Sequence, residues 1–264
     1  MKRIKYLFIS ALVTFVLTAF SWLSTKPVLY LVGDSTMANK VLEDNPERGW
    51  GQLLPEFFNR DIVIENHAMN GRSTRSFIYE GRWDSIMGKL KKGDYVVIQF
   101  GHNDKSIQKT ERYCTPVEYR YNLTRFIKDV MSKGAHPILC TSIQRRKFDE
   151  NGKFQDTHGD YPGYVRELAV KFNVTLVDMQ KKSEKVIVEH GEEGSKKIFL
   201  HIEPGVYKSL PEGKTDNTHF SEYGARLMAG LFCEGLKEIN SDLVKYFSPE
   251  YIKTSTTGSS EKVH

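Results

Sequence analysis

YLVGDSTMANK, residues 30–40, is the stretch that decides how the rest of the chain is read. An apolar run beginning at Pro27 stops at Gly33, and an acid, a serine and a threonine follow with no spacer. An unbroken apolar run of this kind suits a strand buried on both faces, as in a parallel sheet. Ligands of open parallel sheets gather outside the carboxyl ends of the strands. Ser35 stands at that end, where a hydroxyl can meet a substrate.

Four further runs of the same type follow: DIVIENHAM (61–69), DYVVIQFG (94–101), HPILCTS (136–142) and VTLVDM (174–179). Segments with apolar residues at helical spacing lie between them, at 49–59, 82–92, 116–134 and 161–173, and a last one spans 221–240. Gly134 is placed to end the third, Ser221 to cap the last, and Pro55 to kink or end the first. Strands alternating with helices through short connections predict an α/β fold with a parallel five-stranded sheet covered on both faces. The polar stretch 145–160 contains Asn151-Gly152 and reads as a long surface loop with a small hairpin.

The 264 residues, 39% hydrophobic and 27% charged, suit one globular domain with a sizeable core. The net charge is +5, but Lys2, Arg3 and Lys5 fall in the first 21 residues, which hold no acid, leaving about +2. That is too mild for a nucleic-acid partner, and no dense basic run is interleaved with aromatics. Residues 1–21 read as a signal peptide, with basic residues, an apolar core and small residues Ala19 and Ser21 near its end. The competing reading is an uncleaved anchor over residues 6–23. The domain is expected over 27–250, and 253–264, poor in apolar residues, is expected to lack structure. A secreted or periplasmic location follows, with no stable membrane association once the signal is cleaved. Cys114, Cys140 and Cys233 fit no metal site. Cys140, in an apolar strand pattern, is expected to be a buried thiol; export permits one disulfide of unspecified pairing.

Four short blocks fall at strand ends or just before a helix: GDST with Ser35, NGRST with Gly71, GHND with Asn103, and DNTHF with Asp216 and His219. Together they contain what acyl transfer requires. Ser35 is a nucleophile that needs a base. His219 can be that base, and Asp216, three residues earlier, can orient its ring. The Ser35 and Gly71 backbone N–H groups and the Asn103 side chain can stabilise an oxyanion. His67, His158 and His201 are scattered and expected to be structural. His102 is expected to pack behind the site, Asp104 to brace its own loop, and Trp50 either to pack in the core or to stack on a sugar.

This ordered set resembles the SGNH, or GDSL-type, hydrolases, and within them the rhamnogalacturonan acetylesterases. GDSTM, GWG at 49–51, GRSTRSF at 71–77, GHND and DNTHFSEYGA carry the resemblance, which extends from about residue 27 to 240. It implies a flavodoxin-like three-layer α/β/α sandwich, a serine esterase mechanism without cofactor or metal, and acetylated plant polysaccharide as substrate. The alternatives are a lipid esterase or thioesterase on the same scaffold, or a glycan-binding protein without catalysis. No sugar-binding residue is legible, but ERGWG, GRSTRS and RRKFDENGKFQD would set basic groups beside the crevice, suited to a pectic chain.

Overall fold

The computed structural model describes residues 26–257. The expected signal segment and the last seven residues of the expected tail lie outside them. Strands β1 (Val28–Gly33), β2 (Val63–Asn66), β3 (Tyr95–Gln99), β4 (His136–Cys140) and β5 (Thr175–Val177) form one sheet in the order β2-β1-β3-β4-β5. Every neighbouring pair is parallel, and each strand falls inside one of the apolar runs.

Alternate residues of each strand enter different layers. Leu29, Leu31, Val97 and Ile138 belong to one buried cluster, while Tyr30, Val32, Val96, Ile98 and Leu139 belong to the other. Helices α1 (Trp50–Leu53), α6 (Met179–Gly194) and α7 (Glu222–Glu238) supply the first cluster through Trp50, Ile187, Met228 and Phe232. Helices α2 (Thr74–Tyr79), α3 (Arg82–Met87), α4 (Pro116–Ser132) and α5 (Tyr161–Phe172) supply the second through Phe77, Trp83, Phe126 and Leu168. The result is a three-layer α/β/α sandwich. The chain leaves β1 for β2 on one side and returns to β3 on the other, so its direction of winding reverses at β1. That reversal opens a crevice at the carboxyl ends, directly beyond Gly33.

Local chemistry sets the helix ends. Thr115 and Glu118 form a capping box at α4, with Pro116 at its first position, and Ser221 caps α7. Gly134, just past α4, has φ of 68°. At Pro55 the α-helix gives way to a 3-10 turn over Leu54–Phe57. The hairpin in 145–160 is present as a Phe148–Phe154 bridge, closed by the Asp149 N–H donating to the Lys153 carbonyl at 3.0 Å.

Three parts depart from expectation. Residues 216–220, placed just before the last helix with no strand expected there, belong to strand β7 (Lys214–Phe220), which pairs antiparallel with β6 (Phe199–Ile202) in a separate ribbon. Helix α6 follows β5 where no element was foreseen. The tail, expected to lack structure from residue 253, is helical to the end of α8 (Pro249–Thr257). Pro249 suits a first helical position, Ser248 Oγ accepts from the Tyr251 N–H at 3.2 Å, and Tyr251 packs edge-on against Phe57 and Phe247. Cys114, Cys140 and Cys233 are all buried free thiols. Among the described residues no helix is long and apolar enough to cross a membrane.

Candidate active site

The turn after β1 is built to present Ser35. The Met37 and Ala38 N–H groups donate to the Asp34 carbonyl, and Asp34 Oδ1 accepts from the Thr36 N–H at 3.0 Å and Thr36 Oγ1 at 2.8 Å. Gly33 is required by packing, because a Cβ there would lie 2.8 Å from the Gln99 carbonyl on β3. Gln99 Nε2 donates to Thr36 Oγ1 at 2.8 Å and Gln99 Oε1 accepts from Trp50 Nε1 at 3.0 Å. Trp50 is fully buried, so it is a core residue and not a sugar platform. Trp50→Phe would keep most of the packing but leave Gln99 Oε1 unpaired, a loss on the order of 1–3 kcal/mol.

Ser35 Oγ lies 2.8 Å from His219 Nε2, and His219 Nδ1 lies 2.8 Å from Asp216 Oδ2. A carboxylate can only accept, so Nδ1 carries the proton and Nε2 is left to accept from the serine hydroxyl. Asp216 and His219 reach each other because β7 bulges. The ladder pairs Phe199 with Phe220 but Leu200 with Asp216, so residues 217–219 loop out. Asp216 Oδ1 accepts from the Thr218 and His219 N–H groups at 2.8 and 3.0 Å, which closes that loop. Asn217 Oδ1, meanwhile, is held by His201 Nε2 at 2.8 Å and Arg146 at 3.1 Å. Burial favours the neutral form of Asp216, but the His219 ring and backbone bonds outweigh it and hold the carboxyl well below the usual range.

The other two blocks flank Ser35, because β2 and β3 lie on either side of β1. Gly71 has φ of 75°, a conformation that favours glycine. Asn103 Nδ2 donates to the Arg72 carbonyl at 2.9 Å, leaving its second N–H for another acceptor. One guanidinium nitrogen of Arg112 donates to Asn103 Oδ1 at 2.9 Å and to the Gly71 carbonyl at 3.3 Å. A guanidinium cannot accept, so this contact fixes which way the Asn103 amide faces. Asp104, expected to brace its own loop, accepts instead from the Thr74 N–H and Oγ1 at 2.8 and 2.6 Å and so ties two of the blocks together. Its burial raises the carboxyl to about 6 against those bonds.

His102 and His158 are buried with ring centroids 4.6 Å apart. Burial comes first in both; His158, Arg145 and Lys105 then lower His102, and Lys105 and Arg145 lower His158, so both lie well below the ordinary imidazole range. They pack behind the crevice. His67 bonds Glu65 away from it. The basic groups expected beside the crevice are mostly committed: Arg72 to Glu80, Arg75 to Glu118, and buried Arg146 to the Glu192 carbonyl.

A hydroxyl hydrogen-bonded to an imidazole that is in turn oriented by a carboxylate, with N–H donors on the neighbouring strand ends, can transfer an acyl group. Known proteins agree with that chemistry. The family described as GDSL-like Lipase/Acylhydrolase matches residues 31–227. The chain is 40% identical over 219 residues to rhamnogalacturonan acetylesterase RhgT of Bacillus subtilis (strain 168), covering 83% of this chain and 93% of that one. The crystal structure of protein YxiM from Bacillus subtilis superposes with TM-score 0.70 at 26% identity, over 82% of this chain and 57% of YxiM. Axe2, an acetylxylan esterase from Geobacillus stearothermophilus, superposes with TM-score 0.56 over 80% of this chain and 94% of its own; at 19% identity the likeness is one of fold.

Proposed function

Because the chain belongs to the GDSL-like lipase/acylhydrolase family, we propose that it is an exported carbohydrate esterase that removes O-acetyl groups from rhamnogalacturonan. The reading rests above all on the unbroken chain from Ser35 Oγ through His219 to Asp216 at the mouth of the crevice. Its polysaccharide part rests on the 40% identity to an enzyme of that name.

In this mechanism Ser35 Oγ attacks the acetyl carbonyl carbon while its proton passes to His219 Nε2. The carbonyl becomes an oxyanion, stabilised by the Ser35 and Gly71 backbone N–H groups and the unused N–H of Asn103. His219 returns the proton to the sugar oxygen, the ester C–O bond breaks, and acetyl-serine remains. Water, deprotonated by His219, attacks the acetyl carbon, acetate leaves and the proton returns to Ser35. Asp216 keeps the ring in the required tautomer and stabilises the imidazolium. Arg112 acts as a positioning residue through Asn103.

The test is release of acetate by purified protein from acetylated rhamnogalacturonan and from neutral acetylated xylan, at low and high salt. The reading expects faster release from the first, with a margin that narrows as salt screens the charged chain. Equal rates at low salt would remove the pectic substrate and leave the acetylesterase. Faster cleavage of octanoyl than acetyl nitrophenyl esters would point to a lipid esterase instead.

A further inference from the structure

The two flanks of the crevice differ in how their cations are employed. On the Gly71 side, Arg72 is paired with Glu80, and Arg112 with Glu111 and with Asn103. Lys214 and Lys40, near the β7 bulge, both reach Glu47. On the opposite flank stand Lys105 and Arg145, and among the described residues neither has a carboxylate in ion-pair contact. Lys105 Nζ donates only to the Thr157 carbonyl, and Arg145 Nε lies 3.4 Å from His102 Nδ1.

These two cations line one open basin of about 460 Å³, together with Asp160 and Tyr164. Both are partly withdrawn from water and each repels the other. Burial first and Arg145 second bring Lys105 down to about 8, and burial lowers Arg145 against the pull of Asp34 and Asp216. Holding two like charges together with no carboxylate in ion-pair contact opposes folding, and the more distant Asp156, Asp34 and Asp216 offset that only in part. An anion entering the basin relieves that cost. Arg145 also lies close to the bulge that carries His219: the next residue, Arg146, donates its N–H to the Asn217 carbonyl at 2.9 Å.

We propose that the basin between Lys105 and Arg145 binds the carboxylate of a uronic acid unit on the polysaccharide whose acetyl group lies at Ser35. Two cations fit a carboxylate better than a hydroxyl, and Asp160 on the rim can accept from sugar hydroxyls while excluding a more heavily charged group. The Tyr164 ring offers an apolar face for the sugar. The identity of the polymer rests on the acetylesterase reading, whereas the anion site rests on the basin alone.

The experiment is calorimetric titration of the wild-type protein, at low ionic strength, with trigalacturonic acid and with its fully methyl-esterified form. Neither probe carries an acetyl group, so the result is independent of esterase activity, which acetate release measures separately. The acid should bind at least about ten-fold more tightly than the ester, consistent with a charge-assisted contact. Lys105→Gln and Arg145→Gln should each bring that ratio most of the way to one. Lys105→Gln alone decides the matter if Arg145→Gln fails to fold. Equal binding of acid and ester by the wild type, binding of neither, or an undiminished ratio in Lys105→Gln would overturn the proposal.

Discussion

Two groups of histidine share one crevice and are built in opposite ways. His219 stands on a bulged strand, 27% exposed, with a carboxylate on one ring nitrogen and a serine hydroxyl on the other. His102 and His158 are buried against each other; His158 Nε2 donates to the Ile143 carbonyl, and His102 Nε2 and His158 Nδ1 have no partner among the described residues. The first arrangement lets a proton arrive and leave. The second penalises a second ring proton, since burial and the nearby cations outweigh the Ile143 carbonyl and Asp156, which favour it at His158. What marks a base is therefore the pair of partners on its ring, not the presence of histidine near a nucleophile.

The sharpest way to break this contrast is to remove each ring in turn. His219→Ala and Ser35→Ala should each lower kcat for an acetyl ester by about 10⁴- to 10⁶-fold with the fold retained. His102→Gln should stay within about ten-fold, as a packing change behind a site does. Comparable losses at His102 and His219 would dissolve the distinction. Asp216→Asn should cost about 10³- to 10⁴-fold by presenting the wrong tautomer. Asp104→Asn should cost far less, since that carboxylate serves Thr74 and no ring.

A smaller effect sharpens the role of the neighbouring strand ends. Asn103→Ala should lower kcat by about 10²- to 10³-fold with little change in KM, the signature of a lost oxyanion donor. Arg112→Lys, which keeps the charge but loses the fixed guanidinium, should lower kcat by roughly ten-fold, also at nearly constant KM. A change confined to KM in either variant would make it a substrate-binding residue.

The smallest effect separates stability from catalysis. Burial and nearby cations lower His158 from 6.5 in the unfolded chain to about 3 in the native state. A depressed pKa means the native state binds fewer protons, so stability present above about 6.5 is lost as pH falls toward 3. The slope from this one group is at most about 1.4 kcal/mol per pH unit. Asp104, raised to about 6, acts in the opposite sense between 3.8 and 6, but equally in wild type and variant. His158→Gln should therefore show a shallower loss of denaturant midpoint between pH 7 and pH 5. An identical slope would mean that His158 charges freely in the native state.

The same contrast explains what could be read from the sequence. The strands of the central sheet were legible because burial on both faces forces continuous apolar runs, and the positions of Ser35, Gly71 and Asn103 followed from where those runs end. Ribbon β6–β7 was not legible. KTDNTHF has neither alternation nor apolar continuity, since residues 217–219, His219 among them, are bulged out between the paired Asp216 and Phe220. Helix α6 was missed for a related reason: in QKKSEKVIVEHGEEG the buried positions are few, and Gly191, with φ of 67°, interrupts its end. Arg112 lies in SIQKTERYC, a segment without periodicity, and its contact with Asn103 is made by the course of the loop. Lys105 and Arg145 sit in segments 40 residues apart in sequence, and only the fold brings both to one basin with no carboxylate in ion-pair contact among the described residues.

The central claim is that Ser35 carries the acetyl group between sugar and water. Rapid acid quench of the protein during turnover of an activated acetyl ester, followed by peptide mass spectrometry, tests it most directly. The account predicts one acetyl group on the peptide containing Ser35, present in wild type and absent when His219 is replaced by alanine. Full turnover by Ser35→Ala, or an acetyl group trapped on another residue while Ser35 stays unmodified, would contradict it.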